Sequence, residues 1–331
     1  MTVRSQDSMT QQSQAEEPHD YPNALRQELA IYRPSPALER ANGLLGTVPV
    51  ELRKLGEAIQ DDLGLAAETV KLCNSSLFGL PRPVSSLEQA VVATDADIVR
   101  TLLLACWLTK LTGSRIPTRE NRLFWSHSLL VAQISRRISE WAGLAQPEKT
   151  FLAGLLHDVG ILPFLTLFSR EGAPRQQSIL ENLGESIESE RRRFGTDHCE
   201  LGGRLSTLLG FPHPLAEVVA KHHQPGIAIF SFPLLPIVGA AEVISQARHL
   251  CAKQELAPEA LRTLIKDSLG KWLPGFDPSA SHHLVEALES DLLASVKRFT
   301  PGEGNAWCDS LPSTGAQPEA HQQGNVKSHV T

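Results

Sequence analysis

Apolar residues recur every three or four positions through most of residues 41–300, which is the spacing of one face of an α-helix. The clearest example follows Pro49 and comprises Leu52, Leu55, Ile59 and Leu63. Strict alternation of apolar and polar residues between turn residues, which is typical of β-strands, is nearly absent. The sequence therefore predicts an all-α fold.

Two helices in the second half of the chain are predicted by the residues at their ends. Asp197, followed three residues later by Glu200, resembles a capping box and predicts a helix that stops at Gly210. Pro214 predicts the start of the next helix, which we expect to end at His222 and His223.

Changes in composition divide the chain into several predicted parts. The first 40 residues are rich in Gln, Ser, Glu and Pro and are expected to be flexible, with a short helix near Leu25 to Tyr32. Gly113 to Pro117 interrupts the helical pattern and predicts a boundary near residue 115. The predicted parts are a flexible segment at 1–40, an N-terminal helical subdomain at 41–115, a second helical subdomain at 116–230, C-terminal helices packed on it at 231–300 and a flexible tail at 301–331.

Composition narrows the class of protein. The 331 residues are enough for a sizeable core, and 41% hydrophobic and 21% charged residues are typical of a soluble globular protein. A formal net charge of −6 argues against direct nucleic-acid binding, which usually requires a basic face, but leaves room for a small basic pocket that holds a phosphorylated ligand.

Several features favour a cytoplasmic protein. The five cysteines form no CxxC pair, which favours a reducing compartment, and residues 1–20 have no apolar signal region. Residues 151–168 and 227–244 are apolar, but proline and charged residues interrupt both. Because a membrane-spanning helix needs about 20 uninterrupted apolar residues, we expect these segments to be buried helices and connections.

The candidate chemistry centres on His157 and Asp158, which interrupt an apolar run expected to be helical. Burying an unpaired charge is costly, so these side chains need partners, and a hydrogen-bonded pair in the core is the simplest explanation. A metal site is the alternative. The helix predicted from Trp125 to Ile138 carries His127, and Glu242 lies in another apolar helical segment. Such imidazole and carboxylate ligands suit Mn, Fe, Zn or, less well, Mg.

Each of these candidates also has an ordinary explanation. Glu242 is equally consistent with an acid on an exposed polar stripe that also carries Ser245, Gln246 and His249. The pair His222 and His223 is explained by the favourable interaction of histidine with a helix C-terminus. His198 lies in a first helical turn, where a neutral ligand or hydrogen-bond partner fits better than a charged group. Arg193, in the run from Glu190 to Arg193, offers a guanidinium for phosphate or belongs to a solvated helix face.

Taken together, these motifs resemble the HDOD domain, the HD-related output domain of the HD phosphohydrolase superfamily in bacteria. The resemblance covers about residues 41–230. It is carried by residues 70–79 and 86–90 in the first half, and by Phe124–Ser128, Gly154–Gly160, Phe194–His198, Gly202 and Pro214–Pro225 in the second. It implies an all-α, HD-like multi-helix domain with an N-terminal helical subdomain.

The resemblance also implies roles for particular residues. The metal ligands of the superfamily correspond to His127, His157 and Asp158, with Glu242 where the final Asp is expected. The additional histidines of the dinuclear HD-GYP phosphodiesterases are similar to His198, His222 and His223, which implies contacts to a second metal or to phosphate. The chain departs from that group after His223, where Gln224-Pro225-Gly226 includes no acid and no Gly-Tyr-Pro motif, and Ala93–Ala96 lacks the Leu-Gly usual in HDOD domains.

Two functions follow from the resemblance. The first is a non-enzymatic regulatory protein of bacterial signal transduction, whose HD-like site holds a divalent metal or remains a polar core and whose partners are signalling proteins. The alternative is a metal-dependent phosphohydrolase that acts on a nucleotide or a cyclic dinucleotide.

Overall fold

The computed structural model describes residues 20–144, 146–171, 187–224, 234–252, 256–273, 276–277 and 281–298. In these residues every regular element is helical, so the all-α prediction is confirmed. The α-helices are α1 (Tyr21–Glu28), α2 (Pro36–Leu45), α3 (Leu52–Ile59), α4 (Leu63–Cys73), α5 (Leu87–Ala93), α6 (Ala96–Gly113), α7 (Thr118–Trp141), α8 (Pro147–Leu156), α9 (Leu162–Glu171), α10 (Ile187–Phe194), α11 (His198–Leu209), α12 (His213–Lys221), α13 (Leu234–Ala252), α14 (Pro258–Trp272) and α15 (His282–Arg298). Short 3₁₀ turns occupy Leu29–Tyr32, Gln60–Asp62 and Val159–Ile161.

The helix ends predicted around residues 197–223 are confirmed. The Asp197 carboxylate accepts a hydrogen bond from the backbone N–H of Glu200 at 2.8 Å and caps α11. Gly210 ends that helix with a φ of 62°, a left-handed conformation that glycine adopts without steric cost. The next helix, α12, ends at Lys221, so His222 and His223 follow its last turn.

The short helix predicted near Leu25 to Tyr32 corresponds to α1 and the 3₁₀ turn Leu29–Tyr32, whereas the flexibility predicted for residues 1–40 stays a prediction. The side chain of Asp20 caps α1, and both Leu25 and Tyr32 are completely buried. Leu25 packs in a small cluster with Phe168 of α9 and Phe194 of α10. These partners lie far away in the chain, so the local polar composition gave no sign of the packing. Residues 1–19 and the predicted tail at 301–331 lie outside the described residues.

The structure also corrects the position of the His157-Asp158 pair, which the sequence placed inside a helix. Helix α8 ends at Leu156, and the pair lies between it and the 3₁₀ turn Val159–Ile161. Gly160 in this turn lies against the backbone of α11: a Cβ atom there would be 1.8 Å from the carbonyl oxygen of His198 and 2.6 Å from the N atom of Gly202. Tight packing of two backbones at these glycines therefore replaces a continuous helix.

A second close approach joins α7 and α8. A Cβ atom at Gly154 would lie 2.8 Å from the Cα atom of Ala132 and 2.9 Å from the Oγ atom of Ser135. The absence of a side chain at Gly154 thus lets the two helices pack closely. This packing places the end of α8, and with it His157, near the His127 segment of α7.

The helices before residue 115 are bonded to the far end of α11. Asn42 of α2 donates a hydrogen bond from Nδ2 to the carbonyl oxygen of Leu209 at 2.7 Å. Arg100 of α6 donates from Nε to Asn42 Oδ1 at 2.6 Å and from Nη2 to the carbonyl oxygen of Gly210. These bonds cross the predicted division near residue 115, which stays a prediction.

One stretch of the described residues, Pro147–Arg170, is long and apolar enough to cross a membrane by length and composition. An apolar window of 18 residues within it is buried among the other helices, and the turn at Val159–Ile161 divides the stretch. A core segment of a globular protein has the same composition. The other apolar segment, 227–244, lies within the described residues only from Leu234 onward.

Candidate metal centre

Four predicted ligands come together between three helices, and we call them the first cluster: His127 on α7, His157 and Asp158 after α8, and Glu242 on α13. Glu242 Oε2 lies 3.0 Å from His127 Nε2 and 3.1 Å from His157 Nε2. Asp158 Oδ2 lies 3.5 Å and 3.3 Å from the same two nitrogens. One ligand atom of each residue lies within 4.8 Å of the others, so the four side chains surround a common point.

A second cluster lies on the other side of Asp158 and comprises Asp158, His198, His222 and His223. Here it is Oδ1 of the carboxylate that faces the histidines, 3.1 Å from His222 Nε2 and 3.5 Å from His198 Nε2. Asp158 is therefore common to both clusters and turns one oxygen toward each.

Hydrogen bonds to the far side of the rings fix the orientation of three histidines. Nδ1 of His157 donates to the carbonyl oxygen of Gly154 at 2.8 Å, and Nδ1 of His222 donates to that of Val218 at 3.1 Å. Nδ1 of His198 donates to the carboxylate of Glu190 at 2.9 Å. Because carbonyl and carboxylate oxygens only accept, Nδ1 carries a proton in each ring. In the neutral ring, Nε2 then presents its lone pair to Asp158 or Glu242.

This arrangement leaves polar atoms in the second cluster without hydrogen-bond partners. Asp158 Oδ1, His198 Nε2 and His222 Nε2 are all buried and make no hydrogen bond. Buried polar atoms are nearly always paired, so such a group requires either additional protons on the rings or a cation between the facing lone pairs. Imidazole nitrogens held by Nδ1 hydrogen bonds, together with a shared carboxylate, form a donor set that fits divalent Mn, Fe or Zn.

The neighbouring imidazoles determine the direction of the pKa shift of both carboxyl groups, Asp158 and Glu242. Burial by itself would raise the pKa of Asp158, but the adjacent imidazoles, above all His157, hold it well below its usual value. Burial acts in the same direction on Glu242, and His127 and His157 likewise hold the pKa of that carboxyl well below its usual value. Both groups are therefore ionised at neutral pH and available as ligands.

Four of the five histidines in the two clusters, His127, His157, His198 and His222, have a raised pKa, and His223 has a lowered one. Burial lowers the pKa of His127 and His157, but the carboxylates of Glu242 and Asp158 outweigh this effect and raise the two pKa values to about 9 and about 10. His223 differs, because burial and the neighbouring His222 and His198 lower its pKa to about 3. Without metal, the first cluster therefore binds protons at neutral pH, whereas His223 is neutral.

Arg193, a predicted phosphate contact, lies exposed on α10 with its guanidinium carbon 5.1 Å from the centre of the Phe194 ring. The neighbouring arginines are bonded within the protein: Arg191 donates from Nε to Asp197 Oδ2 at 2.5 Å, and Arg192 donates to the carbonyl oxygen of Glu188. A role of Arg193 in phosphate binding stays a prediction.

Sequence reasoning missed two neighbours of the second cluster. Glu190 was considered only as part of the run to Arg193, either as a phosphate site or as a solvated face, but it is bonded to His198. The signal that could have revealed this is Gly195, whose φ of 68° turns α10 back against α11. Cys199 was not predicted to have any role, although its Sγ lies 4.0 Å from His222 Nδ1. Burial raises the pKa of Cys199, but His222 and His198 outweigh it and lower the pKa to about 7.

The chain belongs to the HDOD family: residues 34–225 match the HDOD domain, which confirms the predicted resemblance. The structure is similar to an HDOD domain protein of unknown function from Geobacter sulfurreducens, with a TM-score of 0.55 and 23% identity over 84% of this chain and 99% of that one. It is also similar to a proposed phosphohydrolase from Shewanella amazonensis SB2B, with a TM-score of 0.58 and 18% identity over 84% of this chain and 98% of that one. Identities this low show the fold alone.

A sequence relative is an uncharacterised protein of Treponema pallidum (strain Nichols), 21% identical over 181 residues. The match covers 53% of this chain but only 34% of the length of that protein.

Proposed function

We propose that this protein is a non-enzymatic regulatory HDOD protein of signal transduction, and that its two clusters hold divalent metal ions which stabilise the helical fold. The observation that carries the metal site is Asp158, which faces imidazole nitrogens on both sides while Oδ1 and two of those nitrogens have no hydrogen-bond partner. A metal ion between these groups would satisfy them without additional protons.

The burial of the ligands favours a structural centre over a catalytic one. His157 and His222 are 0% exposed, and Asp158 and Glu242 are 4% and 5% exposed. A catalytic metal site needs an open position for water and substrate, which such burial restricts. A proposed signal-transduction protein from Marinobacter aquaeolei VT8 has a similar fold, with a TM-score of 0.51 and 16% identity over 84% of this chain and 65% of that one. Signalling proteins are accordingly the partners we propose, in the cytoplasm.

Metal binding is expected to stabilise the protein, and more strongly at pH 8 than at pH 6. At a hundredfold excess over its dissociation constant, a bound ion adds about 2.7 kcal/mol, which corresponds to roughly 4 °C in Tm for a chain of this length. The effect grows with pH because the ion must displace the protons that His127 and His157 hold in the metal-free protein. Thermal unfolding with Mn²⁺ or Zn²⁺, and after chelation, measures the difference.

The metal-free protein should show its own pH dependence. The raised pKa values of His127 and His157 mean that their ion pairs stabilise the fold fully below about pH 6.5, the unfolded value, and lose this contribution as pH rises through about 9 and about 10. The metal-loaded protein should keep its stability over the same range. Equal Tm values with and without metal at both pH 6 and pH 8 would contradict the metal site.

The alternative is hydrolysis of a nucleotide or cyclic dinucleotide, and one observation favours it. The His127 side chain is 22% exposed and His223 is half-buried, so one ligand of each cluster reaches the solvent-facing side. A bound metal ion would supply an activated water and polarise the phosphoryl group. The low pKa of His223, about 3, leaves this ring neutral, so that at neutral pH it does not protonate a leaving group and is only a weak base.

Purified protein loaded with Mn, Fe, Zn or Mg is expected to release no product from bis-p-nitrophenyl phosphate or from a cyclic dinucleotide. The matched control is Asp158→Asn, which keeps the size of the side chain but removes its charge. Metal-dependent turnover by the wild-type protein that disappears in Asp158→Asn would replace the regulatory proposal with the hydrolytic one.

A further inference from the structure

We infer that Glu190 is a positioning residue that holds the His198 ring with Nε2 toward Asp158, and so completes the second cluster as a site for its own metal ion. The inference rests on the proposed metal centre and adds a specific residue to it. Glu190 lies on α10, eight residues before His198, and its side chain is 19% exposed.

The Glu190 carboxylate holds His198 at two points. Its Oε2 accepts the backbone N–H of His198 at 2.8 Å, and its oxygens accept the ring Nδ1–H at 2.9 Å. The first bond satisfies an N–H group at the start of α11 that has no partner within the helix. The second fixes the ring rotation, because Nδ1 and Nε2 lie on opposite sides of the imidazole.

Glu190 acts on the cluster through His198. The carboxylate binds the Nδ1 side of the ring, whereas Nε2 on the other side lies 3.5 Å from Asp158 Oδ1. Glu190 is therefore placed behind the ring and away from the point that the second cluster surrounds. A carboxylate behind a metal-bound histidine sets its tautomer and orientation, and loss of such a partner weakens metal binding roughly 10- to 100-fold.

The surrounding helices keep Glu190 in this position. Arg191, the next residue, donates to Asp197, the residue that caps α11, so α10 is bonded to the start of α11 by two adjacent side chains. Phe194 anchors the end of α10, with its ring 5.3 Å from that of Tyr21 and 5.2 Å from that of Phe164. The N-terminal helix α1 thus supports the residue that orients His198.

The test measures metal stoichiometry and affinity with the full-length chain, by Mn²⁺ titration followed by metal analysis and by electron paramagnetic resonance. Wild-type protein should bind two Mn²⁺ ions that are close enough to couple magnetically. Glu190→Ala should keep the first ion and bind the second at least tenfold more weakly, with the uncoupled signal of a single ion. The amide oxygen of Glu190→Gln accepts only one of the two bonds, so this variant should bind the second ion with an affinity between those of the wild type and Glu190→Ala. Glu188→Gln, an exposed change on the same helix, should match the wild type.

Two results with metal would overturn the inference. One is Glu190→Ala binding two coupled ions with wild-type affinity. The other is equal weakening of both ions together with a lower Tm of the metal-free protein, which would indicate a general structural role.

Nitrogen NMR of the histidine rings in metal-free protein separates this inference from the proposed function. If wild-type protein binds no Mn²⁺, the metal proposal fails, and the Nδ1 proton of His198 then decides the role of Glu190. If the Nδ1 proton of His198 is lost in Glu190→Ala but kept in Glu188→Gln, the result would support the positioning role of Glu190. If Glu190→Ala keeps this proton, the result would refute that role.

Discussion

Replacing Asp158 by alanine is expected to abolish metal binding at both clusters and to destabilise the protein by about 3 kcal/mol or more, as removal of one partner from a buried ion pair does elsewhere. The size of the effect follows from the shared position of this carboxylate, which lies within 3.5 Å of the Nε2 atoms of four histidines. Without it, the buried imidazoles lose their common anion. Equilibrium unfolding in urea and metal analysis of the purified variant measure the two losses.

Asp158→Asn separates charge from volume in the same position. The amide occupies the same space but is a weaker, uncharged ligand, so we expect this variant to keep most of the fold and to lose the metal. Asp267→Ala, on an exposed position of α14, is the control and should change neither property. An Asp158→Ala protein that binds metal with wild-type stoichiometry would contradict the central place given to this residue.

The second large effect is expected at Gly160. Alanine here would place its Cβ atom 1.8 Å from the carbonyl oxygen of His198 and 2.6 Å from the N atom of Gly202. Both are backbone atoms, so a rotamer change cannot relieve the clash. Since overpacking in a core costs about 1–3 kcal/mol or more, we expect a loss of about 3 kcal/mol and weaker metal binding at the second cluster, because His198 must move.

Gly203→Ala is the matched control for that substitution. Gly203 lies in α11 one residue after Gly202, and a Cβ atom there would come no closer than 3.5 Å to Ala220. Replacing a helical glycine by alanine where the new Cβ makes only ordinary van der Waals contact stabilises the helix by up to about 1 kcal/mol. The two alanine variants should thus change stability in opposite directions in the same urea titration. A neutral Gly160→Ala would show that the two backbones can separate without loss.

Helix α11 links the candidate centre to the N-terminal helices. His198 in its first turn belongs to the second cluster, and its last residues accept hydrogen bonds from Asn42 and Arg100 of α2 and α6.

The sequence by itself determined the helical class and several helix ends. The period of the apolar residues predicted α3 and α7, and local capping residues predicted both ends of α11. These features depend on interactions between residues a few positions apart, which a sequence displays directly. The residues His127, His157, Asp158 and Glu242 were also singled out from the sequence, because polar side chains in apolar helical segments are costly unless they share partners.

Only the tertiary structure decided how those residues meet. His157 and Glu242 are 85 residues apart in the chain, and no local pattern reveals that their side chains lie 3.1 Å apart. The break of α8 before Asp158 depends on the backbone of α11 against Gly160, and the packing of α1 depends on aromatic residues of α9 and α10. The bond between Glu190 and His198 likewise depends on the turn at Gly195, which brings α10 back against α11. Local signals in the sequence predicted the helices and the candidate ligands. The geometry of the two clusters depends on contacts between distant segments, and the packing of the whole core sets those contacts.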